Sequence, residues 1–126
     1  MNLRNPLANA HNHGAAGDGV GHWWAQRFSA ILLVFLTSWV VYALVSIVGA
    51  SHAAASAWLA QPVNAAMGIL FIVTSIYHGK LGLQVVIEDY VHNRAVEVAL
   101  QLVVKIAALA GALLAVIAIL KLAFGA

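Results

Sequence analysis

The sequence contains no cysteine, and this absence removes several kinds of cofactor site. Iron–sulfur clusters are held by cysteine thiolates, many zinc sites include them, and disulfides require them. With 0 Cys in 126 residues, this chain by itself can supply no iron–sulfur ligand, no thiolate ligand to zinc and no disulfide. Any metal that it binds must use nitrogen or oxygen ligands, and its 6 histidines are the obvious nitrogen donors.

Charged residues are nearly as scarce, at 8% of the chain, while hydrophobic residues make up 63%. An ordinary soluble domain has about 25% and about 45–50% respectively. No Asp, Glu, Lys or Arg occurs between Arg27 and Lys80, an interval long enough for two spans of about 20 residues each. A third apolar run covers 98–124. Because lipid offers no hydrogen-bond partners, these runs predict helices and an all-α integral membrane protein.

The predicted boundaries divide the chain into two parts. Residues 1–22 are polar and rich in glycine, which predicts a flexible tail, and a loop of small residues is predicted over 49–62. Residues 23–126 form a transmembrane domain with three helices, at about 24–48, 62–90 and 95–123. The first run exceeds the roughly 7–15 residues of a signal-peptide core, so we expect it to be a span.

The basic residues predict the orientation of the chain. Arg4, Arg27 and Arg94 fall in the tail and near the second loop, and the first loop has no basic residue. By the positive-inside rule the tail is cytoplasmic. No Arg-rich and Ser-rich transit segment opens the chain, which favours a bacterial inner membrane. The basic residues form no run, so no nucleic acid is expected as a partner.

His78 is an ionisable residue deep within the second predicted span, where such a group is costly and a candidate for function. At about 100° per residue, His78, Gly82 and Asp89 share one helical face, and Gly82 leaves room beside the imidazole. This arrangement fits an axial ligand of haem iron better than zinc, which would need further ligands nearby. A buried histidine bonded to another helix is the alternative. About 12 residues, or roughly 18 Å, separate it from the helix end, which predicts a position near mid-membrane.

The other five histidines lie in the tail or near the predicted membrane surfaces. A six-coordinate haem would need a second histidine from elsewhere. The haem must therefore be shared with another chain, either a second copy or a different membrane subunit.

Candidate ligand contacts also lie near the inner surface. Arg27 has the planar guanidinium that suits haem propionates or another carboxylate, and positive-inside anchoring is its alternative role. Asp89 is expected to orient Tyr90, whose phenol would donate a hydrogen bond to a quinone carbonyl. The alternative is a solvated helix end, in which Arg94 or His92 compensates the acidic residues.

The third predicted span has two features whose roles remain open. Lys105 lies deeper than a lysine prefers, and it either reaches back to the interface or meets an acidic partner. Ala107, Gly111 and Ala115 form a stripe of small residues, which serves either packing within the chain or contact with a partner helix.

Two motifs resemble those of a known family. The first, Gln26-Arg27-Phe28-Ser29-Ala30, opens the first span, and the second is His78 followed, after ten intervening residues, by Asp89-Tyr90. With three spans and Gln101-Leu102-Val103 in the third, the chain resembles the hydrophobic membrane anchor subunit of succinate dehydrogenase, respiratory complex II. The resemblance covers about residues 22–124.

The resemblance implies a non-catalytic three-helix subunit within a heteromeric helical bundle. In that family, two such subunits hold one haem b between them and dock an iron–sulfur subunit and a flavoprotein subunit at the inner face. It implies that His78 is the axial ligand of the haem iron, that Arg27 lies near the propionates, and that Tyr90 and Asp89 bind ubiquinone. A cytochrome b-type membrane subunit would supply the second ligand, and electrons from succinate would pass to ubiquinone.

Two other functions remain open. Two copies of the chain could form a homodimeric cytochrome b, each giving one His78. The chain could also act as a small channel or transporter with His78 and Lys105 as a polar pathway, although we expect no file of polar residues to join them.

Overall fold

The computed structural model describes the backbone of residues 16–125, with side chains from residue 19 onward. Within this range the chain forms no strand, and its four helices are α1 (Ala16–Ile47), α2 (His52–Leu59), α3 (Pro62–Tyr90) and α4 (Arg94–Phe124). Three of them, α1, α3 and α4, contain segments of 29 to 31 residues that are long and apolar enough to cross a membrane. The prediction of an all-α membrane protein with three spans is confirmed.

The first helix begins earlier than the sequence predicts, at Ala16 and not near residue 24. Residues 16–22, part of the predicted tail, therefore continue α1. Extending a formed helix adds backbone hydrogen bonds without a second nucleation cost, so even weak helix formers can join it. The rest of the predicted tail, residues 1–15, lies outside the described residues.

The connection between α1 and α3 is helical in its central part, so the prediction of a loop there is wrong for α2. Ser51 caps this helix by accepting the N–H of Ala54 at 3.3 Å, and its alanine-rich sequence has high helix propensity. The Trp58 ring stacks on Trp39 of α1 with centroids 6.2 Å apart. Asn64 of α3 donates to the Trp58 carbonyl at 2.8 Å. These contacts hold α2 against both neighbouring helices.

The three long helices pack as a row with α3 in the middle. α3 contacts α1 on one side and α4 on the other, whereas α1 and α4 make no close backbone approach within residues 16–125. Glycines sit at two tight places in the bundle. A Cβ on Gly68 would lie 3.5 Å from Ile119, and one on Gly111 would lie 3.9 Å from Ile76. Gly111 thus packs within the chain.

Little of this row is buried inside the chain. The buried apolar side chains are few: Leu36, Ala43, Ala65, Leu81, Ile87 and Ile119. Only 6 to 11% of the most apolar window of each span is buried. Because a row of three helices leaves most apolar surface uncovered, the remainder must contact lipid or other membrane subunits.

Candidate functional site

His78 lies between α3 and α1 and has a polar neighbour at each ring nitrogen. Its Nδ1 is 2.9 Å from Oγ of Ser29, and its Nε2 is 3.5 Å from the amide nitrogen of Gln26. One turn along α3, a Cβ on Gly82 would be 3.9 Å from the same Gln26 nitrogen. The room that Gly82 leaves beside the imidazole is therefore the room in which Gln26 lies.

Ser29 is a fixed point of this site. It is only 6% exposed, and its hydroxyl lies 2.7 Å from the carbonyl oxygen of Ala25 and 3.1 Å from that of Gln26. A serine in this position bonds back to the preceding turn of its own helix. Its oxygen is thereby held in one place with respect to the α1 backbone, and the imidazole meets it there.

The contact between Ser29 and His78 sets the position of the site along α1. Ser29 comes two residues after Arg27, at the start of the uncharged part of α1. His78 is level with it across the contact between α1 and α3. Its depth in the bilayer, predicted near mid-membrane, stays a prediction. At about 1.5 Å per residue, the 29 residues of α3 span about 44 Å, against about 30 Å of hydrocarbon.

An open groove of about 470 Å³ runs along α1 beside His78. Its other lining residues occupy successive turns of one α1 face: Ala30, Leu33, Val34, Thr37, Ser38 and Val41. The groove is mostly apolar, with the imidazole at its edge. It leaves space next to His78 for a flat apolar group or for a helix of another chain.

Two buried polar atoms near His78 have no hydrogen-bond partner among the described residues. They are Oε1 of Gln26 and Nε2 of His22. His22 lies one turn before Gln26, on the same side of α1. Buried polar atoms are normally paired, because an unpaired one costs roughly 1–3 kcal/mol. The site thus has unsatisfied polar groups that a ligand or a partner subunit could engage.

Arg27 is exposed and does not contact His78. Its guanidinium carbon lies 5.5 Å from the ring centroid of Trp23, a cation–π contact at the start of the apolar region. Among the described side chains, the one ion pair joins Arg94 and Glu97, at 2.9 Å. The guanidinium of Arg27 is therefore available to a carboxylate from outside these residues.

Asp89 and Tyr90 both lie exposed at the inner end of α3, and Tyr90 is 78% exposed. No hydrogen bond joins the two side chains in the described structure, so the expectation that Asp89 orients Tyr90 finds no contact here. Arg94 pairs with Glu97 and not with either acidic residue of α3. The phenol of Tyr90 forms no hydrogen bond with any described residue of the chain.

Six polar residues form a ladder between α3 and α4. Glu88 accepts hydrogen bonds from the amides of Gln84 at 2.9 Å and Gln101 at 3.3 Å. Gln101 also lies 3.4 Å from Glu97. Lys80 and Lys105 line a small cavity together with both glutamines, Ile87 and Val104, and form no hydrogen bond with the glutamines. We call this set of Lys80, Gln84, Glu88, Glu97, Gln101 and Lys105 the polar ladder.

The polar ladder bears on two of the open questions from the sequence. Lys105 is exposed and forms no ion pair with a described side chain, so whether it meets an acidic partner stays open. Polar residues do follow one another along α3 and α4 beside Lys105, but no hydrogen bond among the described residues joins them to His78. The ladder does not include His78, whose recorded side-chain contacts are on α1, and it ends at the two lysines.

Sequence reasoning found the imidazole but missed its two neighbours. Gln26 and Ser29 stand three residues apart, which places them on one face of α1. Both belong to the motif that opens the first span, in which Arg27 was the predicted site residue. The signal that could have found them is the pair of polar side chains just inside the tryptophan belt, where polar groups need partners.

Comparison with known proteins gives this geometry a context. A family model described as "Succinate dehydrogenase/Fumarate reductase transmembrane subunit" matches residues 1–119. The chain belongs to this family. The resemblance drawn from the sequence motifs is confirmed. No solved structure matches the chain.

The relatives of this family member have one name in common. A "Succinate dehydrogenase hydrophobic membrane anchor subunit" from Rickettsia bellii is 36% identical over 89 residues, which are 71% of each chain. The protein of the same name from Rickettsia conorii is 34% identical over 86 residues, 68% of each chain. That from Paracoccus denitrificans is 29% identical over 90 residues, 71% of this chain and 70% of its own. These relatives and the three apolar helices indicate a bacterial membrane protein.

Proposed function

We propose that this chain is the membrane anchor subunit of a succinate dehydrogenase and supplies one axial ligand, His78, to a haem b shared with a second membrane subunit. The chain also contributes Tyr90 and Asp89 to a ubiquinone site. The family match and the shared name of the relatives support the anchor role. The contacts of His78 support the haem site.

The observation that carries the haem proposal is the placement of the imidazole. His78 is held by a buried serine at one nitrogen, at 2.9 Å, and has only a long contact of 3.5 Å at the other. An axial imidazole needs this combination, because one nitrogen must bond to iron while the other is oriented by a hydrogen bond. A histidine that served only to join two helices would be expected to form a good hydrogen bond at both ring nitrogens.

The surroundings of His78 also fit a haem. The groove beside it is mostly apolar along α1. Within the described residues no group of three or more His, Cys, Asp or Glu could hold a metal alone. A single imidazole is the contribution expected of half a shared site. When bound, haem b supplies a one-electron redox centre.

Arg27 and Tyr90 act at the inner edge of the same region. The exposed guanidinium of Arg27, which lies over the ring of Trp23, would pair with a haem propionate. The phenol of Tyr90, at the end of α3, would donate to a quinone carbonyl where an amphipathic carrier reaches the surface. Asp89 precedes it on α3, and its carboxylate would accept a hydrogen bond from a hydroxyl of the quinol product.

The proposal includes the orientation and the partners of the chain. The amino terminus is cytoplasmic, so the polar end of α3 faces the iron–sulfur and flavoprotein subunits. The large uncovered apolar surface of the three-helix row supports a second membrane subunit, of cytochrome b type, against it. That subunit would bring the other axial ligand.

The test of the proposed function is the absorption spectrum of the complex purified in mild detergent through a tag on this chain. The wild-type complex should contain flavin, iron–sulfur clusters and a reduced-minus-oxidised band of a b-type haem. His78→Ala should abolish or shift that band while flavin is retained. His92→Ala, an exposed histidine outside the helices, is the matched control and should leave the band unchanged.

Two outcomes would contradict the proposal in different ways. An unchanged band in His78→Ala would remove this residue as the ligand. A haem-loaded species formed from this chain alone, without flavoprotein, would instead indicate a homodimeric cytochrome.

A further inference from the structure

We infer that Ser29 is the positioning residue that fixes the tautomer of His78, so that the ring presents Nε2 and not Nδ1 to a metal. The inference rests on the proposed function for its ligand, haem iron. The tautomer itself follows from the contacts of α1 and α3. It assigns a role to a residue that the motifs alone left without one.

The first step is to count the donors around Ser29. Its hydroxyl has one proton and lies 2.7 Å from the Ala25 carbonyl oxygen and 3.1 Å from the Gln26 carbonyl oxygen. Carbonyl oxygens only accept, so the proton goes to the α1 backbone. The lone pairs of Oγ then face Nδ1 of His78 at 2.9 Å. For a hydrogen bond to form there, Nδ1 must carry the ring proton.

The second step is the contact on the other side of the ring. The atom facing Nε2 is the amide nitrogen of Gln26, at 3.5 Å, and an amide nitrogen donates but does not accept. An unprotonated Nε2 would accept that N–H, which agrees with the tautomer from the first step. The contacts at the two nitrogens, made by different side chains, give the same tautomer, with hydrogen positions assigned from the distances between heavy atoms.

The two contacts differ in strength, and this difference selects the ligating atom. At 2.9 Å and with a buried, backbone-anchored oxygen, the bond to Ser29 is a good hydrogen bond. At 3.5 Å the approach of Gln26 is at the outer limit for one. A ligand that arrives at His78 can displace the amide of Gln26 and take the lone pair of Nε2. The bond from Nδ1 to Ser29 remains and sets the plane of the ring.

This arrangement has a consequence for the bound metal. An imidazole that donates its Nδ1 proton to an oxygen is a more basic ligand at Nε2, and such outer contacts tune the metal and its affinity. A more electron-donating ligand stabilises the ferric state and lowers the midpoint potential of the haem. Loss of the Ser29 oxygen should therefore raise that potential.

The experiment compares three variants of the full complex by potentiometric titration of the b-type band. Ser29→Ala should keep the band, shift its midpoint potential to a more positive value, and weaken haem retention about 10- to 100-fold. Ser29→Thr keeps the hydroxyl and should restore both, and the groove of about 260 Å³ beside Ser29 has space for the added methyl group. Ser46→Ala is the matched control, since Ser46 makes the same backbone bond, to Tyr42 at 2.8 Å, but has no imidazole contact.

A wild-type potential in Ser29→Ala would overturn the inference. An equal shift in Ser29→Ala and Ser29→Thr would also overturn it, because the hydroxyl, which threonine keeps, would then not be the cause. A second measurement does not need haem: ¹⁵N NMR of histidine-labelled full-length chain, with the His78 signal identified by its absence in His78→Ala. In the wild-type chain the Nδ1-protonated form should dominate. In Ser29→Ala the fraction of that form should fall. An Nε2-protonated wild-type ring would overturn the inference. If the wild-type complex lacks a haem band while the NMR gives the stated tautomer, the proposed haem function fails and the tautomer assignment stands.

Discussion

Oγ of Ser29 lies 2.9 Å from Nδ1 of His78, and this contact joins α1 to α3 where the apolar part of α1 begins. Without this contact, Nδ1 of His78 would have no hydrogen-bond partner among the described residues, whereas Ser29 would keep its bonds to the α1 backbone. Contacts of this kind between membrane helices contribute about 0.6 kcal/mol on average. The stabilisation is modest, and the greater effect is geometric, because the contact fixes the position of the imidazole along α1 and the plane of its ring.

Tyr90→Phe tests the quinone contact proposed at the inner end of α3. The change removes one neutral hydrogen bond, worth about 0.5–1.5 kcal/mol, so ubiquinone reduction should slow about 2- to 10-fold. Succinate oxidation by a soluble artificial acceptor should stay near the wild-type rate, since that route does not use the site. Tyr42→Phe, an exposed tyrosine in the outer half of α1, should change neither rate. A parallel fall of both rates in Tyr90→Phe would show that the residue is structural.

Arg27→Ala tests the proposed propionate contact. Because Arg27 is exposed, its pairing with a carboxylate should contribute about 0.2–1 kcal/mol, so haem retention should weaken by less than about tenfold. The midpoint potential should fall, since removal of a nearby cation favours the more positive ferric state. Arg27→Lys keeps the charge and should show a smaller shift in potential. Lys121→Ala, at the opposite end of the bundle, is the control, and a shift of the same size there would argue against a local effect of Arg27.

Gln101→Leu tests whether the polar ladder stabilises the contact between α3 and α4. Gln101 donates to Glu88 at 3.3 Å and approaches Glu97 at 3.4 Å. Because both contacts are long and the carboxylates are partly solvated, the loss should be about 1 kcal/mol in reversible unfolding in detergent. In a double-mutant cycle with Glu88→Gln, we expect a coupling energy of about 0.5 kcal/mol or more.

Leu102→Ala, at the exposed neighbouring position, should combine additively with Glu88→Gln. Full additivity in the Gln101 cycle as well would mean that the amide contacts of the ladder do not stabilise the bundle.

Composition predicted the spans well because the membrane imposes one strong condition, a long uncharged helix. The predicted bounds 62–90 agree with α3 as the structure has it, since Pro62 suits the first turn and the polar end follows Tyr90. The short helix α2 could not be predicted in the same way. It is held by the stacking of Trp58 on Trp39, two residues far apart in sequence.

The candidate site was predictable only in part. His78 stood out because an imidazole in an uncharged span is costly, but its neighbours Ser29 and Gln26 lie on another helix. Which residues of α1 meet the imidazole depends on how α1 packs against α3, and spacing along either helix does not give that.

The sequence by itself determined the helical class, the number of spans and the identity of the imidazole, because each depends on the transfer of particular side chains from water to lipid. The packing of α1 against α3 decided which side chains face the two nitrogens of that imidazole, and at what distances. A hydrogen bond between helices depends on differences of a few tenths of an ångström in the distance between donor and acceptor. Here the two residues are 49 positions apart in the sequence. Such distances are fixed only when the helices are packed together.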